Sequence, residues 1–213
     1  MLKVKKLILS TVLATLGLTG AHAAAPTKAQ ILQWLVNAQQ STAEPKKAIQ
    51  LVKTEKITLV NGEEAYISGV EFENAARNFW GGYILTRPDA KKAQILDEFG
   101  GQSNTFKVHK TNYKGKLLDI VELEQSSSGG GAISGANSLV VFKGDKLQVL
   151  ASGENSGTMM YDDCRKDKYI ETEFKIKPNS QTITKITTTS NGCEEVKKQN
   201  KKVKTELIPI AVK

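Results

Sequence analysis

Apolar residues along this chain change their period once. Between Lys28 and Thr42, Ile31, Leu32, Leu35 and Val36 recur three to four positions apart, with Trp34 on the flank of their stripe. That spacing is helical, because side chains at these intervals stack on one side of the helix. Thr27 offers a capping hydroxyl before the run, and Gln39-Gln40-Ser41-Thr42 ends it. A second short helix is predicted from Pro45, a favourable first position, with Glu44 before it and Ala48, Ile49 and Val52 turned inward.

After Lys56 the period becomes two. Ile57 and Leu59, then Ala65 and Ile67, flank Asn61-Gly62, a dipeptide suited to a type I′ hairpin turn. Residues 79–86 (FWGGYILT) read as a strand stopped by Arg87-Pro88-Asp89, and a short helix is predicted over 89–97 from Asp89, Ala93 and Leu96. Strands follow at Phe106 to Val108, 117–123, 139–142 and, beyond a turn at Gly144-Asp145, Leu147 to Ala151. Residues 168–176 and 182–189 alternate around the turn cluster Pro178-Asn179-Ser180. The run 139–142 (LVVF) is wholly apolar, as in a central strand covered on both faces. Pro209, among Leu207, Ile208, Ile210 and Val212, assigns the last group to an edge strand or an extended tail. Helices first and strands afterwards predict an α+β chain, mostly β, whose N-terminal helices precede an antiparallel sheet or sandwich.

The first residues change the picture of location. Lys3, Lys5 and Lys6 precede an apolar run from Leu7 to Leu18, and Ala21-His22-Ala23 has small residues where a leader is cleaved. The expected layout is a signal peptide at 1–23, a helical segment at 24–56 and a β-rich domain at 57–213. The protein is then periplasmic or secreted. Without the leader the net charge falls from +8 to +5, since three lysines leave and no acid does. Much of the remaining excess lies in Lys197, Lys198, Lys201, Lys202 and Lys204, read as solvated surface. A nucleic-acid partner is not expected, because a broad basic face with interleaved aromatics is missing. Nor is a membrane span expected in the mature chain.

Cys164 and Cys193 are the two cysteines. In an oxidising compartment they are expected to pair, closing a loop of about 30 residues worth roughly 3–4 kcal/mol. Catalytic groups are sparse. His109 is the one histidine left after His22 departs, between lysines in a strand, and it reads as a surface or strand-end residue. No GxSxG elbow accompanies it, and zinc would lack ligands. Asp162-Asp163, and Glu122 with Glu124 on one strand face, are the carboxylate pairs a hydrolase would use. No catalytic residue, cofactor or metal is predicted.

The most unusual stretch is 126–138 (SSSGGGAISGANS), predicted to be an interstrand loop. Its candidate binding residues are Ser128, Gly130, Gly131, Ser134 and Asn137. Ser156, Gly157, Met159, Met160 and Tyr161 join them, since flexible thioethers and a ring beside small residues suit a contact loop. The run from Phe106 to Phe142 resembles a degenerate FG-GAP-type module of exported bacterial proteins, in which Asn112 and Gly115 match the calcium loop and Asp119 the acidic strand start. Lys110 and Lys114 stand where two aspartates belong, so calcium binding is not implied. The same run with 156–161 (SGTMMY) is similar to periplasmic lysozyme inhibitors, which present a serine-glycine loop and a nearby tyrosine. The expected function is an exported, non-catalytic binding protein, an inhibitor of a protein or glycan-directed target. The alternatives are a cell-wall hydrolase using Asp/Glu pairs and an envelope structural or assembly factor.

Overall fold

The computed structural model describes residues 25–38, 49–158, 166–192 and 200–213. One helix, α1 (Lys28–Asn37), begins where the sequence predicts. The Thr27 hydroxyl accepts the Gln30 N–H at 3.3 Å, and the Gln30 side-chain oxygen accepts the Thr27 N–H at 2.8 Å, a reciprocal cap. Twelve strands follow among the described residues. They are β1 (Ile49–Thr58), β2 (Glu64–Phe72), β3 (Gly81–Arg87), β4 (Lys92–Ile95), β5 (Gly100–Gly101) and β6 (Phe106–Tyr113), then β7 (Lys116–Gly129), β8 (Ala132–Lys143), β9 (Lys146–Thr158), β10 (Lys168–Ile176), β11 (Thr182–Asn191) and β12 (Lys202–Pro209).

The chain is therefore mostly β, with one helix among the described residues and not two. Ile49 and Val52, predicted to lie on the inner face of a second helix, belong to β1. Ile49 and Leu51 pack against α1, while a bulge between Leu51 and Lys53 leaves Val52 half exposed, which counterfeits a three-residue spacing. Pro45, Glu44 and Ala48 lie outside the described residues. The predicted helix at 89–97 is likewise a turn and β4. Lys91 takes a left-handed φ of 50°, and Ala93 and Leu96 serve different cores. Asn61-Gly62 makes a turn of another kind than predicted. Gly62 alone is left-handed (φ 82°), and its N–H donates to the Leu59 carbonyl at 2.9 Å, closing a three-residue loop.

The sheet runs β1-β2-β3-β5-β7-β8-β9-β10-β11-β12, with β4 beside β3 and β6 beside β7. It is mixed: β5 runs parallel to Gln125–Ser126 of β7, and the other pairings are antiparallel. Side chains alternate between the two faces. On one face Val121, Leu123, Val140 and Phe142 of β7 and β8 meet Ile57, Ala65, Ile67, Tyr83 and Leu85 of β1 to β3. On the other, Leu118, Ile120, Leu139 and Val141 meet Phe174, Ile183 and the C-terminal Ile210. The two-sided burial expected of LVVF holds for both β7 and β8. Ile31 and Leu35 of α1 form a third core with Ile49, Val70, Ile84 and Ala93 on the outer face of β1 to β4. No helix among the described residues is long and apolar enough to cross a membrane.

Polar contacts hold the N-terminal strands to β7 and β8. The buried Tyr83 hydroxyl lies 2.7 Å from the Thr105 carbonyl and 2.9 Å from that of Glu124, and it accepts the Glu124 N–H at 3.2 Å. Burial pushes this phenol up to about 12. The Asp119 carboxylate accepts the Thr58 N–H at 2.7 Å. Arg87 clasps Glu63 through two N–H groups, at 2.7 and 2.8 Å, and also bonds Asp145, which Lys92 reaches at 2.9 Å. The Arg87 hydrogen bonds hold the Glu63 carboxyl below its ordinary value, and the Lys92 bond, then Arg87, does the same for Asp145.

Cys164 and Cys193 lie outside the described residues, as does the leader. Beside them, the Gly192 N–H donates to the Asp167 carbonyl at 3.0 Å, continuing the ladder that pairs Lys168 with Asn191.

Two measurements test these contacts. Leu35→Ala should cost roughly 2–5 kcal/mol in denaturant unfolding, since Leu35 is buried among the residues under α1. Carboxyls whose folded pKa is depressed stabilise above their unfolded pKa and lose that contribution on acidification. Glu63 and Asp145 therefore contribute fully at neutral pH and progressively less below their ordinary values of 4.5 and 3.8. Arg87→Ala should lower stability at pH 7 and flatten its decline below about pH 4.5. An unchanged acid limb would refute the assignment.

Candidate functional site

Both faces of the β7–β8 hairpin lose their apolar character toward its tip. On the face of the first core, Val121 and Leu123 give way to Gln125 and Ser127, and opposite them Val140 and Phe142 give way to Ala136 and Ser134. The predicted interstrand loop is accordingly paired sheet: Gln125 lies opposite Ala136 and Ser127 opposite Ser134. Only Gly130-Gly131 turns, both left-handed at φ 56° and 77°, as a two-residue hairpin requires.

This polar half of the hairpin walls an open cleft of about 470 Å³. Its lining comprises Gln125, Ser126, Ser127, Ser134, Gly135 and Ala136 on one side and Asn78, Phe79 and Gly101 on the other. Phe79 is 68% exposed, unusual for the side chain of a buried-type residue. The turn that carries it is closed by the Phe79 N–H donating to the Ala76 carbonyl at 2.8 Å, and the Gln102 amide holds Asn78 Oδ1 at 2.7 Å. Gly101 (φ 69°) brings β5 so close to β7 that a Cβ there would strike the Ser126 carbonyl oxygen. That approach fixes the cleft floor and requires glycine.

Of the sequence-predicted binding residues, Ser134 lines the cleft. Gly130 and Gly131 form the hairpin tip, and Ser128 lies opposite Ile133 near it. Ser156 and Gly157 belong to β9, opposite Ser134 and Ile133, so the two predicted segments are neighbours through β8. The Ser156 hydroxyl donates to Glu154 at 2.6 Å. Met159, Met160 and Tyr161 lie outside the described residues. Asn137 is buried on the opposite face from the cleft.

There Asn137 belongs to a polar chain that crosses five strands. A His109 ring N–H donates to Glu122 at 2.8 Å, and Asn137 Nδ2 donates to the other Glu122 oxygen at 3.0 Å. Asn155 Nδ2 donates to Asn137 Oδ1 at 2.7 Å, and Asn155 Oδ1 accepts the Thr172 N–H at the same distance. Glu122 and Thr172 are buried. His109 is thus half-buried in the middle of β6 and paired with a carboxylate, a correction to its reading as a surface or strand-end residue. Glu122 and Glu124 do not act as a pair. Glu124 turns to the Ser103 hydroxyl at 3.1 Å, while Glu122 is taken up by His109 and Asn137. Asp162 and Asp163 lie outside the described residues. No three His, Cys, Asp or Glu side chains gather as metal ligands among the described residues.

Sequence reasoning missed Asn78, Phe79, Gly101 and Gln125. The available signal was FWGG: two aromatics immediately before two glycines, where a strand read inward by hydrophobicity alone in fact begins only at Gly81. No family model, no curated protein and no solved structure matches the chain.

The polar chain is expected to be structural. Asn137→Ala leaves a buried carboxylate oxygen without its donor and should cost about 1–3 kcal/mol. Equilibrium unfolding of the folded variant reads this, and a change within a few tenths of a kcal/mol would show that water replaces the amide.

Proposed function

We propose that this chain is an exported, non-catalytic binding protein, of the inhibitor kind, that holds an extracytoplasmic target in the cleft between the β7–β8 hairpin and the Phe79 turn. The observation that carries the reading is the exposed Phe79 ring beside a preformed cleft. An aromatic left in solvent loses little conformational freedom on contact and offers a large apolar surface, which is why such residues anchor interfaces. At the floor β5 packs closely against β7 at Gly101, which favours a small ordering cost on binding.

The non-catalytic part rests on the lining. Asn78, Phe79, Gly101, Gln125, Ser126, Ser127, Ser134, Gly135 and Ala136 include no group that titrates near neutral pH. Proton transfer at a reacting bond needs such a group within hydrogen-bond reach. The serine hydroxyls have no histidine or lysine beside them in that lining to activate one as a nucleophile. A place in the periplasm or outside the cell follows from the leader-like residues 1–23, and the expected Cys164–Cys193 bridge suits that compartment.

Phe79→Ala should weaken target binding by about 2 kcal/mol, roughly thirtyfold, with an unchanged circular dichroism spectrum. His109→Ala, which alters the opposite face, should leave affinity unchanged in the fraction that is folded. Surface-immobilised protein exposed to fractionated envelope material measures both. Equal retention by wild type and Phe79→Ala would remove the cleft from the binding reading, and hydrolysis lost with His109 would replace that reading with an enzyme.

A further inference from the structure

The binding reading leaves open what the cleft takes, and its lining narrows the chemistry. Nearly a quarter of the chain is charged, yet no charged side chain lines this cleft. The contrast lies within the same molecule. Another groove, of about 780 Å³ at the β8–β9 turn, is lined by Arg87, Lys92, Lys143, Asp145, Lys146 and Lys213. An anionic ligand gains attraction there and none between Phe79 and Ser134. A cationic ligand finds no carboxylate in the cleft either.

The uncharged groups present are also specific. The Ser127 and Ser134 hydroxyls and the Gln125 amide carry no hydrogen bond to any described residue, so their donors and acceptors are free for a ligand. Hydroxyls and amides both give and accept. A purely apolar ligand would strip water from them without replacement, at about 1–3 kcal/mol for each group left unpaired. Opposite stands the exposed face of Phe79, which asks for a flat apolar surface on the ligand. A pyranose ring satisfies both demands at once, with hydroxyls around its rim and aliphatic C–H groups on its face.

We infer that the cleft binds a neutral oligosaccharide, its ring face against Phe79 and its hydroxyls on Gln125, Ser127 and Ser134. This rests on the proposal that the cleft is the binding surface. The volume lies within the range of about 300–1,000 Å³ typical of small-ligand sites, enough for a short run of sugar units. Selectivity against charged sugars follows from the missing counter-charges, since an uncompensated ion would lose hydration on entering.

The test is a titration of the purified protein by amide NMR with three neutral tetrasaccharides (chitotetraose, cellotetraose and maltotetraose) and with tetragalacturonate as the charged counterpart. At least one neutral sugar should give saturable shifts at residues 78–79, 101, 125–127 and 134–136, and tetragalacturonate none there. Phe79→Ala and Ser134→Asp should each weaken the neutral sugar about tenfold or more, and Lys143→Ala, in the charged groove, should not. The inference is overturned if no neutral sugar gives saturable shifts at millimolar concentration, or if Phe79→Ala binds as well as wild type. A photo-crosslinker at position 127 in intact cells separates the two failures. Cleft-specific capture of a protein, without sugar binding, refutes the sugar and retains the binding surface. Neither capture nor sugar binding refutes both.

Discussion

A strand that is apolar on both faces must be covered twice, and β7 and β8 place that demand on the whole chain. Their alternate residues feed two separate cores, Val121, Leu123, Val140 and Phe142 on one side and Leu118, Ile120, Leu139 and Val141 on the other. Burying side chains of this size is worth about 1.5–3 kcal/mol each, so neither face can be left open. The strands before β7 cover one side and the strands after β8 the other. Helix α1 is a further layer, laid on the outer face of β1 to β4 and not on the central pair.

The same two strands outrun their cover. Past Leu123 and Val140 the hairpin continues in serine, glycine and alanine toward Gly130-Gly131, and here the two faces part in character. One becomes the wall of an uncharged cleft. The other is closed by hydrogen bonds from His109 through Glu122, Asn137 and Asn155 to Thr172, each buried polar atom answered by one on a neighbouring strand. Fixed by that chain on its back, the hairpin can present small side chains on its front without a core of its own to hold it straight. A rigid scaffold with an exposed, chemically plain surface is the arrangement on which binding is commonly built.

What the sequence made legible was whatever its apolar period controls. Thr27 and Gln30 announce α1, Leu139 to Phe142 announce a doubly buried strand, and Pro209 announces an edge. The failures have a common cause in tertiary structure. A bulge at Leu51/Lys53 imitates helical spacing, and Ala93 and Leu96, three apart, point into different cores instead of along one helix face. The segment 126–138 has too little apolar or β-branched content to read as strand. Its register is imposed by the pairing of Val121 with Val140 and propagated to the glycine turn. Phe79 is invisible as a surface residue because hydrophobicity points a phenylalanine inward. Asn137 looked like loop chemistry, and its partners come from strands that only the fold brings beside it.

Most strand neighbours in this sheet are also neighbours in sequence, joined by short turns such as Lys114-Gly115 and Gly130-Gly131. Hairpins of that kind close small loops and can zip locally on a microsecond scale. The seam between Tyr83 and Glu124 is different, because 41 residues separate the partners and β5 must slip in parallel beside β7. Loop-closure entropy has to be met there before the first core can reward it. Two meanders, β1 to β4 and β6 to β12, are each built from local pairings, and the cleft lies where they meet at this seam.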